Sequence, residues 1–356
     1  MIKKTITLLC VYLLISAILT AGNEAVSQNE VDCSVEFNHF FKFEKKVTLS
    51  EEKNLIGRLR KLLIGSNGNF LILDSKKNKI NKYTPKGEFL SSIGGKGQGP
   101  GEFVKAFDFA IDKENMYVVD PMARKVHVFT IDGKFKHFFS IEDGRIIRTW
   151  KDGALIIAAP RFIDAKNSAC IHIYDKNGKR KRSFFPINKN SIRNNLIIDG
   201  VSFDLDKEGS LYCIQEMEYK INHYTLSGQL LETFSKPQSY YIPPTDKRGT
   251  KMHLRTEVLK WIKSWTHIFD INILNDFVIV TLNYPKVPYE YVLDVYNKKG
   301  DFIKGGLATN YRLLYTDKKQ NLYFLDESLS ADSQEAAYNI LIYSIKKKNL
   351  GSDDKK

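Results

Sequence analysis

Five basic side chains occupy similar places near the starts of repeated units in this chain of 356 residues. They are Arg60, Lys105, Arg148, His267 and Arg312. If the repeats form a ring, these side chains surround one opening, where like charges repel unless an anion offsets them. Guanidinium groups suit carboxylate or phosphate because their planar fork can bind both oxygens. These residues are therefore candidates for binding an anionic ligand; the interpretation that we favour is ordinary ion pairs with acids such as Glu102, Asp108 or Asp199.

The sequence contains no recognisable catalytic or metal-binding set. His127 and His172 precede a turn glycine by six residues in successive units, and we interpret both as polar residues on strand faces. C-x-x-C, G-x-S-x-G and H-E-x-x-H patterns do not occur. The glycine-rich stretch GGKGQGPG (94–101) fits neither the P-loop nor the dinucleotide pattern, so we interpret it as a flexible crossover between units. We expect no metal and no cofactor, and the sequence favours binding over catalysis without deciding between them.

Short strands in a repeated order must position these side chains. One strand ends near an Asp, the next resembles MYVVD (116–120), the third has an aromatic four residues before a Gly, and the fourth carries paired aromatics. The glycines are Gly87, Gly133, Gly178, Gly228 and Gly300, with gaps of 46, 45, 50 and 72 residues. Four strands in about 45 residues are typical of a propeller blade. The sequence therefore predicts an all-β protein, a six-bladed β-propeller of four-stranded antiparallel blades.

The predicted ring closes through the N-terminal part of the chain. The six blades fall at roughly 55–93, 104–141, 144–187, 196–235, 265–308 and 310–345. The sixth has no fourth strand of its own, whereas VEFNHFFKFEKKVTL (35–49) alternates as a strand does. We expect 35–49 to pair beside 338–346, because closure removes an exposed sheet edge.

Residues 94–135 resemble an NHL-type blade. The matching residues are Gly97, Gly99, Gly101, Phe103, Asp112, Tyr117, Val118, Asp120, Arg124, Val126, Phe129 and Gly133. The whole chain is similar to exported six-bladed propellers of Bacteroidetes, with weaker matches in blades 3 and 5. This resemblance implies a propeller that binds a ligand or partner, or an NHL-like lyase or hydrolase acting at the central channel.

An insertion, 236–264, separates blades 4 and 5. Leu254, Val258, Trp261, Ile262 and Trp265 share one face of a helix over 250–265. We expect Trp261 and Trp265 to be buried against the propeller; a lid, or a surface for a partner or membrane, is the alternative. The net charge is +13, but much of the excess lies in this insertion and in the tail. This distribution argues against nucleic-acid binding.

Residues 1–22 have the basic start, short apolar run and small residues of a secretory signal peptide. Neither Cys10 nor Cys33 fits a lipid-attachment site. We expect export to the periplasm or beyond without a lipid anchor, a propeller over 32–348 and a charged tail at 349–356. Cys33, Cys170 and Cys213 are interpreted as buried thiols.

These features predict an exported, non-catalytic, monomeric binding protein. Its partner would be an anionic small molecule, a glycan or an envelope protein. The alternatives are the propeller enzyme above and a structural component of an envelope complex. Propellers host all three functions, so the fold does not decide between them.

Overall fold

Aspartate side chains shape the turns between the first and second strands of several blades. In the computed structural model, Asp112 accepts hydrogen bonds from the backbone N–H groups of Glu114 and Asn115, at 2.8 and 2.7 Å. Asp206 and Asp317 bind turn N–H groups in the same way. The repeated Asp therefore specifies a turn and not a chemical site.

The structure describes residues 33–158, 169–188, 192–193, 196–197, 200–245, 260–261, 263–283, 289–329 and 336–349. The first elements of the described residues are helix α1 (Val35–Phe40) and strand β1 (Phe41–Thr48). Blade 1 consists of β2 (Leu59–Ile64), β3 (Phe70–Asp74), β4 (Lys79–Tyr83) and β5 (Phe89–Ile93). Blade 2 consists of β6 (Asp108–Ile111), β7 (Asn115–Asp120), β8 (Lys125–Thr130) and β9 (Phe135–Ser140). Blade 3 consists of β10 (Ile146–Thr149), β11 (Leu155–Ala158), β12 (Ala169–Tyr174) and β13 (Arg180–Pro186).

A short pair, β14 (Ile192–Arg193) and β15 (Leu196–Ile197), precedes blade 4. Blade 4 consists of β16 (Val201–Leu205), β17 (Leu211–Gln215), β18 (Glu218–Tyr224) and β19 (Leu230–Phe234). Blade 5 consists of β20 (His267–Leu274), β21 (Phe277–Asn283), β22 (Tyr291–Asn297) and β23 (Phe302–Thr309). Blade 6 consists of β24 (Arg312–Thr316), β25 (Asn321–Leu329), β26 (Ala336–Ile345) and β1. The first strands β2, β6, β10, β16, β20 and β24 contact one another in a closed ring around the axis. The chain is a six-bladed β-propeller, as predicted.

The N-terminal segment closes the ring, but only its second half is a strand. β1 pairs antiparallel with β26, from Phe41 opposite Ile345 to Thr48 opposite Asn339. The prediction of a strand over 35–40 was wrong, because these residues form α1. The Ser34 hydroxyl caps this helix by accepting a hydrogen bond from the backbone N–H of Phe37, at 3.2 Å.

The five closing glycines have two roles. All five have φ between +81° and +99°, as the hairpins require. Their missing side chains also leave room for the preceding blade. A Cβ on Gly178 would lie 2.3 Å from the Phe139 ring of β9, and one on Gly300 would lie 2.9 Å from the Phe234 ring of β19. Glycines and fourth-strand aromatics thus pack successive blades together.

A buried carboxylate attaches the start of the insertion to blades 4 and 5. Asp294 of β22 is fully buried and accepts hydrogen bonds from the hydroxyls of Tyr219, at 2.5 Å, and of Tyr240. Burial raises its pKa, against the effect of the two hydroxyls. A Cβ on Gly305 would lie 2.5 Å from the Asp294 carboxylate, so a glycine there leaves space for the cluster.

We expect Asp294→Asn to lower the free energy of unfolding by about 1–2 kcal/mol, because its amide N–H group meets hydrogen-bond donors. Urea denaturation measures this change. Asp276→Asn, at an exposed site in blade 5, is the matched control and should behave as wild type. Equal losses in the two variants would contradict a role for the tyrosine contacts.

Most of the predicted insertion helix lies outside the described residues; of the described ones, 260–261 are helical. Trp261 and Trp265 are 5% and 1% exposed, so the prediction of their burial is confirmed. Cys33, Cys170 and Cys213 are buried thiols, also as predicted. The predicted signal peptide lies outside the described residues.

Candidate functional site

Charged side chains from the first strands of four blades form a buried network on the axis. The Lys61 ammonium lies 2.6 Å from the Asp108 carboxylate. The Arg148 guanidinium bridges Asp108, at 3.3 Å, and Asp204, at 3.2 Å. Both carboxylates also accept a backbone N–H from the following blade, that of Ile147 for Asp108 and that of Ile273 for Asp204. The network therefore ties neighbouring blades together around the channel.

Burial perturbs the titrating groups of this network. It lowers the pKa of Lys61 to about 8, and the neighbouring charge of Arg148 acts in the same direction. It raises the pKa of Asp270, a β20 residue that accepts a hydrogen bond from Ser202. It also raises the pKa of Tyr315 in β24 to about 12, with the charges of Asp317 and Asp204 adding to the shift. Inward groups of the described strands are thus largely engaged with each other.

Arginines form a second, more accessible group beside the network. Arg60 of β2 donates from Nε to the carbonyl oxygen of Phe107, at 2.7 Å, and its guanidinium lies 3.6 Å from the centre of the Phe107 ring. Arg312 of β24 donates to the carbonyl oxygen of Leu59, at 2.6 Å. Each arginine therefore reaches from its own blade to the next and is fixed there by a neutral acceptor.

Charges of both signs act on Arg60, and three of the four belong to arginines. Burial lowers its pKa, and the charges of Arg312, Arg58 and Arg145 lower it further, with Asp108 opposing them. Within the described part of the chain, none of these four arginines forms an ion pair with a carboxylate. We call Arg58, Arg60, Arg145 and Arg312 the basic mouth.

The five predicted residues do not all come together. Arg60 and Arg312 are the second and first residues of their strands, and both belong to the basic mouth. Arg148 is the third residue of β10 and lies in the buried ion-pair network. Lys105 precedes β6 by three residues and its side chain is exposed. The assumption that these residues are structurally equivalent was therefore wrong for Lys105 and Arg148.

His267 is the first residue of β20 and is engaged by its neighbours. Its ring stacks on Trp265, with centroids 3.6 Å apart, and its Nδ1 lies 2.5 Å from Glu216 Oε1. Its observed partners are thus Trp265 and Glu216, and it is not counted in the basic mouth.

The aspartate that ends the second strand shapes the loop beside the basic mouth. Asp74 accepts the backbone N–H of Arg58, at 3.1 Å, and Asp120 accepts that of Lys105, at 3.2 Å. Sequence reasoning missed Arg58, although its place in this repeated arrangement matches that of Lys105. The described residues contain no group of three His, Cys, Asp or Glu side chains able to hold a metal ion.

Comparisons with known proteins support the fold. Residues 50–203 match a domain of unknown function, DUF4934. No curated protein has significant sequence similarity to the chain. Its structure is similar to that of a Bacteroides fragilis protein named as exported, with a TM-score of 0.65 and 15% identity over 87% of this chain and 96% of the other.

Two further solved structures are similar at low identity. A DUF4221 family member from Bacteroides vulgatus has a TM-score of 0.64 and 13% identity, covering 90% of this chain and 99% of the other. A streptogramin B lyase has a TM-score of 0.52 and 13% identity, covering 81% and 79%. At such identities these likenesses show the fold alone. None of the helices in the described residues is both long and apolar enough to cross a membrane.

Proposed function

We propose that this protein is an exported binding propeller whose basic mouth holds an anionic group of a small molecule, a glycan or a protein partner. The observation that carries the proposal is the proximity of Arg60 and Arg312 to other arginines without a carboxylate partner in the described residues. Each uses one N–H on a backbone carbonyl, so most of its donors remain for a ligand. A bound anion would offset the repulsion between them.

Two of the acids that could have paired with these arginines already have other partners, which supports this proposal over ordinary ion pairs. Asp108 is engaged by Lys61 and Arg148, and the Glu102 carboxylate accepts the backbone N–H of Gly99 at 2.9 Å. Asp199 lies outside the described residues. Export is supported by the similar fold of the Bacteroides fragilis protein named as exported. A lyase role has only a likeness in fold in its favour, which does not determine function.

A thermal-shift screen of sugar acids, phosphates and acidic peptides tests the basic mouth. We expect a ligand whose stabilisation of the wild type follows mass action and weakens with salt. The Arg60→Ala/Arg312→Ala double variant should lose the shift.

Arg180→Ala/Arg182→Ala on the exposed outer strand β13 removes the same charge elsewhere and should keep the shift. A ligand that stabilises the Arg60/Arg312 variant as much as wild type would place anion binding elsewhere.

A further inference from the structure

One polar position recurs two residues before the third-strand aromatic in five blades. Its occupants are Asn81, His127, His172, Asn222 and Asp294. In blades 1, 3 and 4 a fourth-strand hydroxyl lies within hydrogen-bond distance of it. These pairs are Ser92 with Asn81 at 2.8 Å, Ser183 with His172 at 2.8 Å and Thr233 with Asn222 at 3.2 Å. In blade 5, Asp294 accepts hydrogen bonds from the hydroxyls of Tyr219 and Tyr240.

Blade 2 departs from this pattern. His127 pairs across the strands with Phe138, where blades 1, 3 and 4 have a serine or threonine. His127 is 5% exposed, and in the described part of the chain both ring nitrogens lie out of contact with solvent and have no hydrogen-bond partner. It lies among rings, with Phe103 edge-on at 5.1 Å between centroids. Such an unpaired buried group is unfavourable unless something else supplies the missing partner.

A cavity of about 350 Å³ adjoins this histidine. This is the lower end of the size range of small-molecule pockets, about 300–1,000 Å³. Its lining includes Gln98, Glu102, Val104, Met122, Lys125 and His127. Met122 is 71% exposed and Val104 38%, so these two give the opening an apolar surface.

The glycine-rich stretch forms one wall of the cavity. It does cross between blades 1 and 2, but hydrogen bonds fix its backbone: Phe103 N–H to Gly95 O at 2.8 Å, and Gly97 N–H to Phe103 O at 3.0 Å. A Cβ on Gly97 would lie 1.9 Å from Glu102 Oε2. Glycine at 97 therefore lets the loop fold closely over the Glu102 carboxylate beside the cavity.

We propose that this cavity binds a neutral, hydroxylated ring, the chemistry of a monosaccharide unit, with the His127 ring turning toward the cavity to meet a ligand hydroxyl. A hydroxyl is what blades 1, 3 and 4 provide at this position from their own fourth strand. Further hydroxyls would find an amide in Gln98, an acceptor in Glu102 and a donor in Lys125. The C–H face of the ring would pack on Val104 and Met122.

Charge favours a neutral ligand. The residues that line the cavity include the acids Glu102 and Asp120 and the base Lys125, so it does not offer a site of one sign. Burial lowers the pKa of His127, with opposing effects from Asp120 and Lys125, and so favours a neutral imidazole with one donor and one acceptor. Among the described residues, the cavity lining and the basic mouth share no member, so the two sites are separate.

Methyl glycosides of glucose, galactose, mannose and N-acetylglucosamine are the probes, and saturation-transfer NMR is the measurement. We expect at least one to bind the wild type at millimolar concentration and to shift the ring-nitrogen resonances of His127. His127→Phe keeps a ring without nitrogens, and Phe138→Ser supplies the hydroxyl found in other blades. Each should weaken binding about tenfold, the worth of one hydrogen bond.

Three further variants make the result decisive. Gln98→Ala, on the loop, should weaken binding even if the His127 variant folds poorly. His172→Gln, at the same position in blade 3, should bind as wild type. Arg60→Ala/Arg312→Ala should keep sugar binding while losing anions, so either site can fail alone. Absence of saturation transfer with all four glycosides, or equal binding by wild type, Phe138→Ser and Gln98→Ala, would overturn the proposal.

Discussion

A chain that begins at Ser50 should not form a folded monomer. It lacks α1 and β1, whose apolar side chains Phe37, Phe40, Phe41, Val47 and Leu49 (the last just beyond β1) are each at most 7% exposed. Burial of each contributes about 1.5–3 kcal/mol, so together they match the whole stability of a typical domain, about 5–15 kcal/mol. The truncation also exposes β26 as an unpaired edge, which promotes aggregation.

Size-exclusion chromatography and thermal unfolding measure this effect. A chain beginning at Cys33 retains both elements and is the control. Within that chain, Phe37→Ala should cost about 3–5 kcal/mol, whereas Val35→Ala, 64% exposed on the same helix, should stay within about 0.5 kcal/mol. A cooperative transition at the same temperature in the Ser50 chain would show that blade 6 closes without β1.

The blades could be predicted because their signals are local. Asp112 and Gly133 each specify a turn through their own chemistry, and the turns delimit the strands. The position of the closing strand followed from the missing fourth strand of blade 6. The prediction of a strand was wrong for 35–40 because Phe37, Phe40 and Phe41 fit either a strand or a helix. They continue an aromatic run, yet their spacing is also that of one face of a helix, and Ser34 can cap that helix.

The axial network could not be predicted because bulges shift the register. β2 has an irregularity between Leu59 and Lys61, so the side of the strand taken by Arg60 and Lys61 does not follow from simple alternation. β20 has another between Ile268 and Asp270. The place of the glycines against the preceding blade was equally hidden, because that contact joins residues far apart in sequence.

Removing the charge of Arg148 from the axial network should strongly lower the free energy of unfolding. Arg148 contacts Asp108 and Asp204, and its charge also acts on Asp270. Arg148→Met keeps much of the side-chain volume but leaves three largely buried carboxylates with Lys61 as their neighbouring cation in the network. Removing one partner of a buried ion pair costs about 3–5 kcal/mol, and we expect a loss of that size at neutral pH.

The loss in Arg148→Met should depend on pH in a definite direction. Without the guanidinium, burial and mutual repulsion raise the carboxyl pKa values of the folded state above those of the unfolded chain, about 4. The folded variant then holds protons more tightly, so its stability falls as pH rises from about 4 through the raised values, and the deficit shrinks in acid. Denaturant unfolding from pH 4 to pH 8 follows this change.

Arg148→Met/Asp204→Asn should recover part of the loss, because it removes one uncompensated charge. Arg180→Met, whose ion pair with Glu142 is exposed, should match wild type throughout. A deficit for Arg148→Met that is constant across this range would mean that lost packing, and not unpaired charge, causes it.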